Sequence, residues 1–361
     1  MNATRFIDLE DTEGLIAADR DGLLRAASSA GAQVRAIAAA ADEGALEPLR
    51  ANDRPRTVIW VAGRGTAETA GSMLAATSSA AAEPIVVAGE LPPWVGPLDV
   101  LIVAGDDPGD PALVGAAAIA VRRGARVVVA APYEGPLRDA TAGRVAVLEP
   151  RLRVPDEFGL CRYLAAGLAA LHNVDPRLHL DLAMLADELD AEALRNSVGY
   201  EVFTNPAKTL AARVSGRRVA LAGDGAATLA LARHGSSVLL RIAHQVVSAT
   251  GFSDAVVAVR ALAGTADYAP ASVNALFHDE QIDGPLPERL RVLAFTLASE
   301  RTVVAAQVAG IDDVYLVAAE DVPDKPNGLA KLPAPSSAEQ QLAILALRLE
   351  MAAVYLRLVR G

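Results

Sequence analysis

A nearly unbroken apolar run, TVIWVA at residues 57–62, leads into a glycine turn, Gly63-Arg64-Gly65, and then into small residues with helical spacing from near Thr66. A run of this kind, apolar at successive positions, reads as a parallel strand buried on both faces. A weaker copy returns at residues 217–233, RRVALAGDGAATLALAR, with Gly223-Asp224-Gly225 as its turn. Two strand–turn–helix units about 160 residues apart predict two similar α/β domains, each with a ligand-type crevice at its strand ends.

Further apolar runs fall at 84–88, 99–104, 126–130 and 144–148, with helix-like segments between them, notably 111–123. Alternating strand and helix predicts a parallel sheet with right-handed crossovers. The second sheet is expected to take 219–222, 256–259, 291–296 and 314–318. Ahead of the first strand, residues 11–42 have helical spacing broken near Gly31, which predicts two helices over one sheet face. Residues 149–155, with two prolines and a basic patch, read as a hinge. Residues 156–172 and 178–195 read as bridging helices. Asn205 is a plausible N-cap with Pro206 at the first helical position. These features divide the chain at 1–153, 154–204 and 205–361. The proline-rich stretch 322–336 reads as an exposed loop, and Ser336 or Ser337 with Glu339 or Gln340 as a capping-box start to the last helix. That helix is apolar around most of its circumference, so it needs burial on more than one side. Together with the bridging helices it is read as dimer surface.

Composition narrows the partners. The apolar fraction, 52%, comes from Ala, Leu and Val, with aromatics at only 4%, which favours small-residue helices on aliphatic strands. The net charge is −11 and the lysines are Lys208, Lys325 and Lys331 alone, so nucleic acid and anionic membrane are poor partners. The single Cys161 excludes an internal disulfide and a cysteine-rich zinc site, and suits the cytoplasm. Residues 1–10 lack the pattern of a signal peptide. Arg348, Glu350 and Arg357 interrupt the apolar stretch 342–359, which therefore reads as a buried or interface helix rather than a membrane span.

Several segments, taken in order, carry a family likeness. They are residues 21–33, GRGTAE at 63–68, LIVAGDDPGDPALVGAAAIAVRRGARVVV at 101–129, NPAKTLAARVSG at 205–216, ALFHDEQIDG at 275–284 and EMAAVYLRL at 350–358. Their order resembles the SIS (sugar isomerase) fold and, within it, the bifunctional phosphoglucose/phosphomannose isomerase family, and looks closest to its actinobacterial TobH-like branch. The resemblance implies an α/β chain of two SIS-type three-layer αβα domains with parallel sheets, a degenerate internal repeat, assembled as a homodimer. It also implies aldose–ketose isomerisation of a hexose 6-phosphate. In that chemistry a carboxylate moves a proton between two carbons, a histidine helps open the ring, and hydroxyl-bearing loops hold the phosphate.

Set against that chemistry, several positions differ. Where the family's phosphate loop carries serine and threonine, this chain has Asp107 and Asp110, followed by Pro111. Two carboxylates within about 5 Å of a phosphate dianion cost several kcal/mol even at an effective dielectric near 20. Asp110 reads equally as the cap of a helix that starts at Pro111. No glutamate lies between Glu201 and Glu280 where the family places its base; Asp254 and Asp267 are the only acids between Arg233 and His278. His278, in Phe277-His278-Asp279-Glu280, matches the ring-opening histidine and is the candidate catalytic residue; an interface histidine bonded to Asp279 or Glu280 is the other reading. His234 and His244, ten residues apart on one predicted helix, do not share a face at metal-ligand spacing and read as structural. His172 and His179 carry no motif. No lysine follows Lys331 to match the family's terminal lysine.

Gly63, Arg64, Gly65 and Thr66 are candidate ligand contacts, with Asp107 and Asp110. Neither glycine turn has the third glycine of a dinucleotide fingerprint, and no Walker, HExxH or GxSxG pattern occurs, so no cofactor and no metal are expected. The expectation is an SIS-fold protein with lost or weakened catalysis. It would be a binding or regulatory component of sugar-phosphate (mannose/glucose) metabolism, with a sugar phosphate or sugar derivative as ligand. A mannose-pathway enzyme, such as a phosphomannomutase or a mannose-1-phosphate guanylyltransferase, is the expected protein partner. The alternatives are an active glucose 6-phosphate/mannose 6-phosphate isomerase using His278 with Asp254 or Asp279, and a sensor of a neutral or cationic sugar derivative, since Asp106, Asp107 and Asp110 favour amine and hydroxyl donors.

Overall fold

The computed structural model describes residues 7–51, 53–78, 83–178, 180–263, 289–321 and 337–360. Its first sheet is formed by β1 (Thr57–Ala62), β2 (Ile85–Ala88), β3 (Asp99–Ala104), β4 (Arg126–Ala130) and β5 (Ala146–Val147), ordered β2-β1-β3-β4-β5 and parallel throughout. The second is formed by β6 (Arg218–Gly223), β7 (Ser248–Gly251), β8 (Leu290–Phe295) and β9 (Val314–Val317), ordered β7-β6-β8-β9 and also parallel. The first four strands of each half thus follow one permutation, the internal repeat expected from the two glycine turns.

Strand periodicity sorts the core. Val58, Trp60 and Ala62 of β1, with Val219 and Leu221 of β6, face one large core between the sheets. Ile59 and Val61 face the opposite side, towards α5 (Pro111–Arg122) and α6 (Gly135–Thr141). Ala220 and Ala222 face α11 (Phe252–Ala263) and α12 (Arg301–Val308). Between the sheets lie α1 (Thr12–Ala18), α2 (Leu23–Ala27), α3 (Ala30–Asp42), α4 (Gly65–Thr77), α7 (Leu160–Val174), α8 (Leu182–Arg195), α9 (Pro206–Val214), α10 (Ala226–Ala243) and α13 (Ala338–Arg360). The result is two three-layer α/β halves sharing a helical middle. Among the described residues no helix is long and apolar enough to cross a membrane.

Small residues set the helix–sheet distance. A Cβ on Gly71 of α4 would lie 2.3 Å from Cδ1 of Trp60, whose indole N–H donates to the Ala67 carbonyl at 2.9 Å. Gly31 does not break a helix. It lies inside α3, where a Cβ would meet Asp190 Oδ1 at 2.1 Å and the Ala186 carbonyl at 2.7 Å, so it admits α8 at close range. The break expected near it falls at Ser28 and Ser29, between α2 and α3, and a second one falls at Gly22, with φ +66°, where the Asp19 carboxylate accepts the amides of Leu23 and Leu24. The N-terminal region is therefore three helices, not two. Residues 256–259 are also corrected: they belong to α11, in which Phe252, Ala255, Val256 and Val259 are buried while Ser253, Asp254 and Val257 are exposed, a helical period. The edge strand beside β6 is the more polar SATG of β7.

Every residue of α13 from Gln340 to Leu356 is buried, packed by α2, α4, α7, α8, α9 and α10 of the same chain. The expected burial on several sides is met within one protomer, so the apolar circumference of this helix offers no dimer surface. Ser337 starts the helix, its hydroxyl accepting the Gln340 amide at 3.2 Å. Two ionisable side chains sit deep within it. Arg348 donates from Nε to Glu192 Oε1 at 2.8 Å and from its terminal nitrogens to the carbonyls of Ala318 and Ala319. Glu350 is paired with His234 Nε2 at 3.0 Å. Burial alone would raise Glu192, but Arg348, Arg195 and Asn196 outweigh it and hold the carboxyl below its ordinary value.

Two outcomes follow for stability. Gly71→Ala destabilises the fold by about 1–3 kcal/mol through overpacking against Trp60, although alanine ordinarily favours a helix by about 1 kcal/mol. A denaturation midpoint unchanged or raised would contradict the packing described. Glu192→Gln costs about 3–5 kcal/mol near pH 7, because Arg348 keeps its charge in the core without a counter-ion. Since the Glu192 carboxyl is depressed on folding, its contribution is present above the unfolded value and lost as pH falls through the folded one. The gap between wild type and variant therefore narrows below about pH 4, and a gap independent of pH would contradict the pairing.

Candidate functional site

The glycine turn after β1 carries the chain sharply off the strand. Arg64 is fully extended, with φ −178°, and Gly65, with φ +69°, opens α4 in a conformation that suits only glycine well. Gly63 is bare for a different reason: a Cβ there would stand 2.7 Å from Asp110 Oδ2 of the turn after β3. In that second turn Asp107 Oδ1 accepts the Gly109 amide at 2.8 Å, and Asp110 Oδ1 accepts the Ala112 amide at 2.8 Å as the cap of α5. Pro111 has no amide to offer. Two of the amides near this helix start, those of Gly109 and Ala112, are thus engaged by the chain's own carboxylates.

Between the two turns is a cavity of about 570 Å³ beyond the carboxyl ends of β1 and β3. It brings together Gly63, Arg64, Gly65, Thr66, Asp107 and Asp110, the whole ligand-binding set read from the sequence, apart from His278. His278 lies outside the described residues, as do His179, Asp267, Asp279 and Glu280. Asp254 is exposed in the first turn of α11 and lines none of the cavities described for this chain. His244 is not within a helix but ends α10 in the left-handed region, with φ +52°. No group of three or more metal-ligating side chains occurs among the described residues.

Residues that the sequence did not single out complete the wall. Ser237 and Arg241 come from α10, on the second half of the chain, and Asp156 from the segment leading into α7. Arg241 donates to both Asp156 oxygens at 2.9 and 3.0 Å and also lies 2.9 Å from Glu157. Thr66 fixes the same segment, its hydroxyl donating to the Asp156 carbonyl at 3.0 Å. Burial pushes Asp156 up, but the Arg241 and Glu157 hydrogen bonds outweigh it and the carboxyl falls below its ordinary value, while burial beside Asp156 raises Glu157. Arg162 is paired with Asp106 at 2.6 Å. The signal that could have found the α10 residues is a stripe at i, i+4 and i+8, Arg233, Ser237 and Arg241, on an otherwise apolar helix.

Four carboxylates and two guanidinium groups line the cavity, and one of the latter, Arg241, is already ion-paired. The excess is acidic, so the wall suits hydroxyl and ammonium donors and opposes a dianion. The cleft extends two ways. An outer lobe of about 640 Å³ shares Asp106 and Asp156 and runs along the expected hinge, Glu149 to Pro155. An inner branch of about 210 Å³ shares Thr66, Ser237 and Arg241 and ends at Arg233 and His234.

No protein-family model and no curated protein matches the chain. Solved structures do. A Silicibacter pomeroyi protein assigned to the phosphosugar isomerases superposes with a TM-score of 0.61 at 14% identity, over 92% of this chain and 96% of its own. Tagatose-6-phosphate ketose/aldose isomerase from Escherichia coli gives 0.60 at 14% identity, over 98% and 94%. The C-terminal domain of glucosamine-fructose-6-phosphate aminotransferase from Francisella tularensis gives 0.57 at 10% identity, over 95% and 98%. The chain has the SIS-type fold of these phosphosugar proteins, two parallel-sheet halves included.

Proposed function

We propose that this chain is a sugar-binding SIS-fold protein whose cleft takes a neutral or amine-bearing sugar derivative and which does not isomerise hexose 6-phosphates. The observation that carries the reading is the turn after β3: the Asp107 and Asp110 carboxylates occupy the Gly109 and Ala112 amides. A phosphate placed there would have to displace two carboxylates held by charge-assisted hydrogen bonds and then sit beside them. An ammonium or a sugar hydroxyl meets the same oxygens as a donor and needs no such displacement. Ser237 and Arg64 supply a further hydroxyl and a cation on the opposite walls for ring oxygens.

The resemblance to the phosphoglucose/phosphomannose isomerase family supports a setting in mannose and glucose metabolism. There the protein would act as a homodimeric binding or regulatory component beside a mannose-pathway enzyme. Light scattering at micromolar concentration checks the dimer.

With glucose 6-phosphate or mannose 6-phosphate in a coupled assay, the protein is expected to show no turnover above background. Glucosamine at a hundredfold excess over its dissociation constant is expected to stabilise the fold by about 2.7 kcal/mol, seen as a raised melting temperature. Asp107→Ser combined with Asp110→Ser, which keeps a capping residue on α5, removes that shift. Turnover of either sugar phosphate, abolished by His278→Ala, would overturn the proposal. So would a glucosamine shift that the double substitution leaves intact.

A further inference from the structure

A second cavity, of about 460 Å³, lies beyond the carboxyl end of β9 between α9, the start of α12 and the middle of α13, and shares no lining residue with the cleft or its two branches. Its charge is opposite in sign. Arg213, Arg301 and Arg348 line it against a single carboxylate, Asp321. Arg301 is paired with Asp321 at 2.6 Å, which cancels that pair. Arg348 shares Glu192 with Arg195, so two guanidinium groups face one carboxylate behind the pocket floor and leave one positive charge over. The Arg213 guanidinium lies 5.0 Å from the Tyr315 ring centre and has no ion-pair partner among the described residues. The excess is therefore two positive charges, in a chain whose net charge is −11.

The floor is built as well as charged. Arg348 is 1% exposed, and its position is fixed by Glu192 and the carbonyls of Ala318 and Ala319. A guanidinium has five N–H donors; those contacts use three, leaving one on each terminal nitrogen. Two pre-positioned donors on a planar cation match the oxygens of a phosphoryl group. Beside them Pro206, Leu210, Leu316 and Val317 form an apolar wall, and Phe203 stands 70% exposed at the rim. A volume of this size is ordinary for a small-molecule site.

We propose that this pocket is a second ligand site, for a phosphorylated small molecule. Its phosphate lies on Arg348, Arg213 and Arg301, and its organic body on the wall capped by Phe203. The cleft and this pocket then divide the work by charge: the acidic cleft takes donors and the basic pocket takes the phosphate anion. This assignment stands independently of the ligand of the cleft.

The test is calorimetric titration of the full chain with inorganic pyrophosphate, metal-free ATP and glucose 6-phosphate, at low salt and again at 0.15 M. Saturable one-to-one binding that weakens with salt is expected. Arg213→Ala and Arg301→Gln, both half-buried on the pocket wall rather than in the core, each weaken pyrophosphate at least tenfold. Both variants leave the glucosamine shift at the cleft unchanged, which separates failure here from failure there. Phe203→Ala distinguishes the source of the phosphate: a tenfold loss for ATP with pyrophosphate unaffected identifies a nucleotide, and equal behaviour of ATP and glucose 6-phosphate identifies a sugar phosphate. Absence of saturable binding of all three probes at millimolar concentration overturns the proposal, as does binding that neither arginine substitution weakens.

Discussion

A helix buried along four turns and more cannot carry an ionisable side chain without a partner, and α13 carries two. Arg348 obliges α8 to present Glu192, and Glu350 obliges α10 to present His234. Loss of Glu192 would leave the Arg348 charge uncompensated in the core, and loss of His234 would leave the Glu350 carboxyl, which burial pushes up, without its hydrogen-bond partner, so the pairs fix where the surrounding helices lie as much as they stabilise them. With His234 turned inward to α13, the neighbouring Ser237 and Arg241 of α10 line the cleft over the first sheet. Arg348, two residues from Glu350, forms the floor of the basic pocket on the other side. One central helix thus sets the geometry of both cavities.

The cleft inherits its position from the fold and its sign from two short turns. Parallel sheets leave a crevice beyond their carboxyl ends, and the turns after β1 and β3 bracket it. What distinguishes this chain is the chemistry placed there. Aspartates stand at the start of α5, satisfied by the amides of Gly109 and Ala112, and Asp110 packs against the bare face of Gly63. The arginines on the rim are mostly committed, Arg241 to Asp156 and Glu157, Arg162 to Asp106. The site is organised around its own carboxylates and leaves donors, rather than anions, as natural guests.

The strands were legible because parallel strands covered on both faces must be apolar at every position: β1, β3 and β4 have the bounds read from the sequence. The same rule misled at residues 256–259, where a valine-rich stretch with a helical period looked like a strand, and it hid β7, an edge strand made of SATG. Gly31 was read as a helix breaker because local propensity says nothing of α8 pressing against it. In the half of the cleft borne on strand ends, Gly63 to Thr66 could be read because turn chemistry is local, and Asp107 and Asp110 through the resemblance to a phosphate loop. Asp156, Ser237 and Arg241 could not, since they reach the site only through the packing of α10 on α4 and α13.

The central claim is that the amides at the start of α5 are closed to phosphate and the carboxylates beside them open to an ammonium. A crystal structure grown with glucosamine and glucose 6-phosphate at equal concentration tests it most directly. The account predicts an amino sugar between the two turns, its nitrogen within about 3 Å of the Asp107 carboxylate. A phosphate bound to the Gly109 and Ala112 amides, with both aspartates swung away, would contradict it.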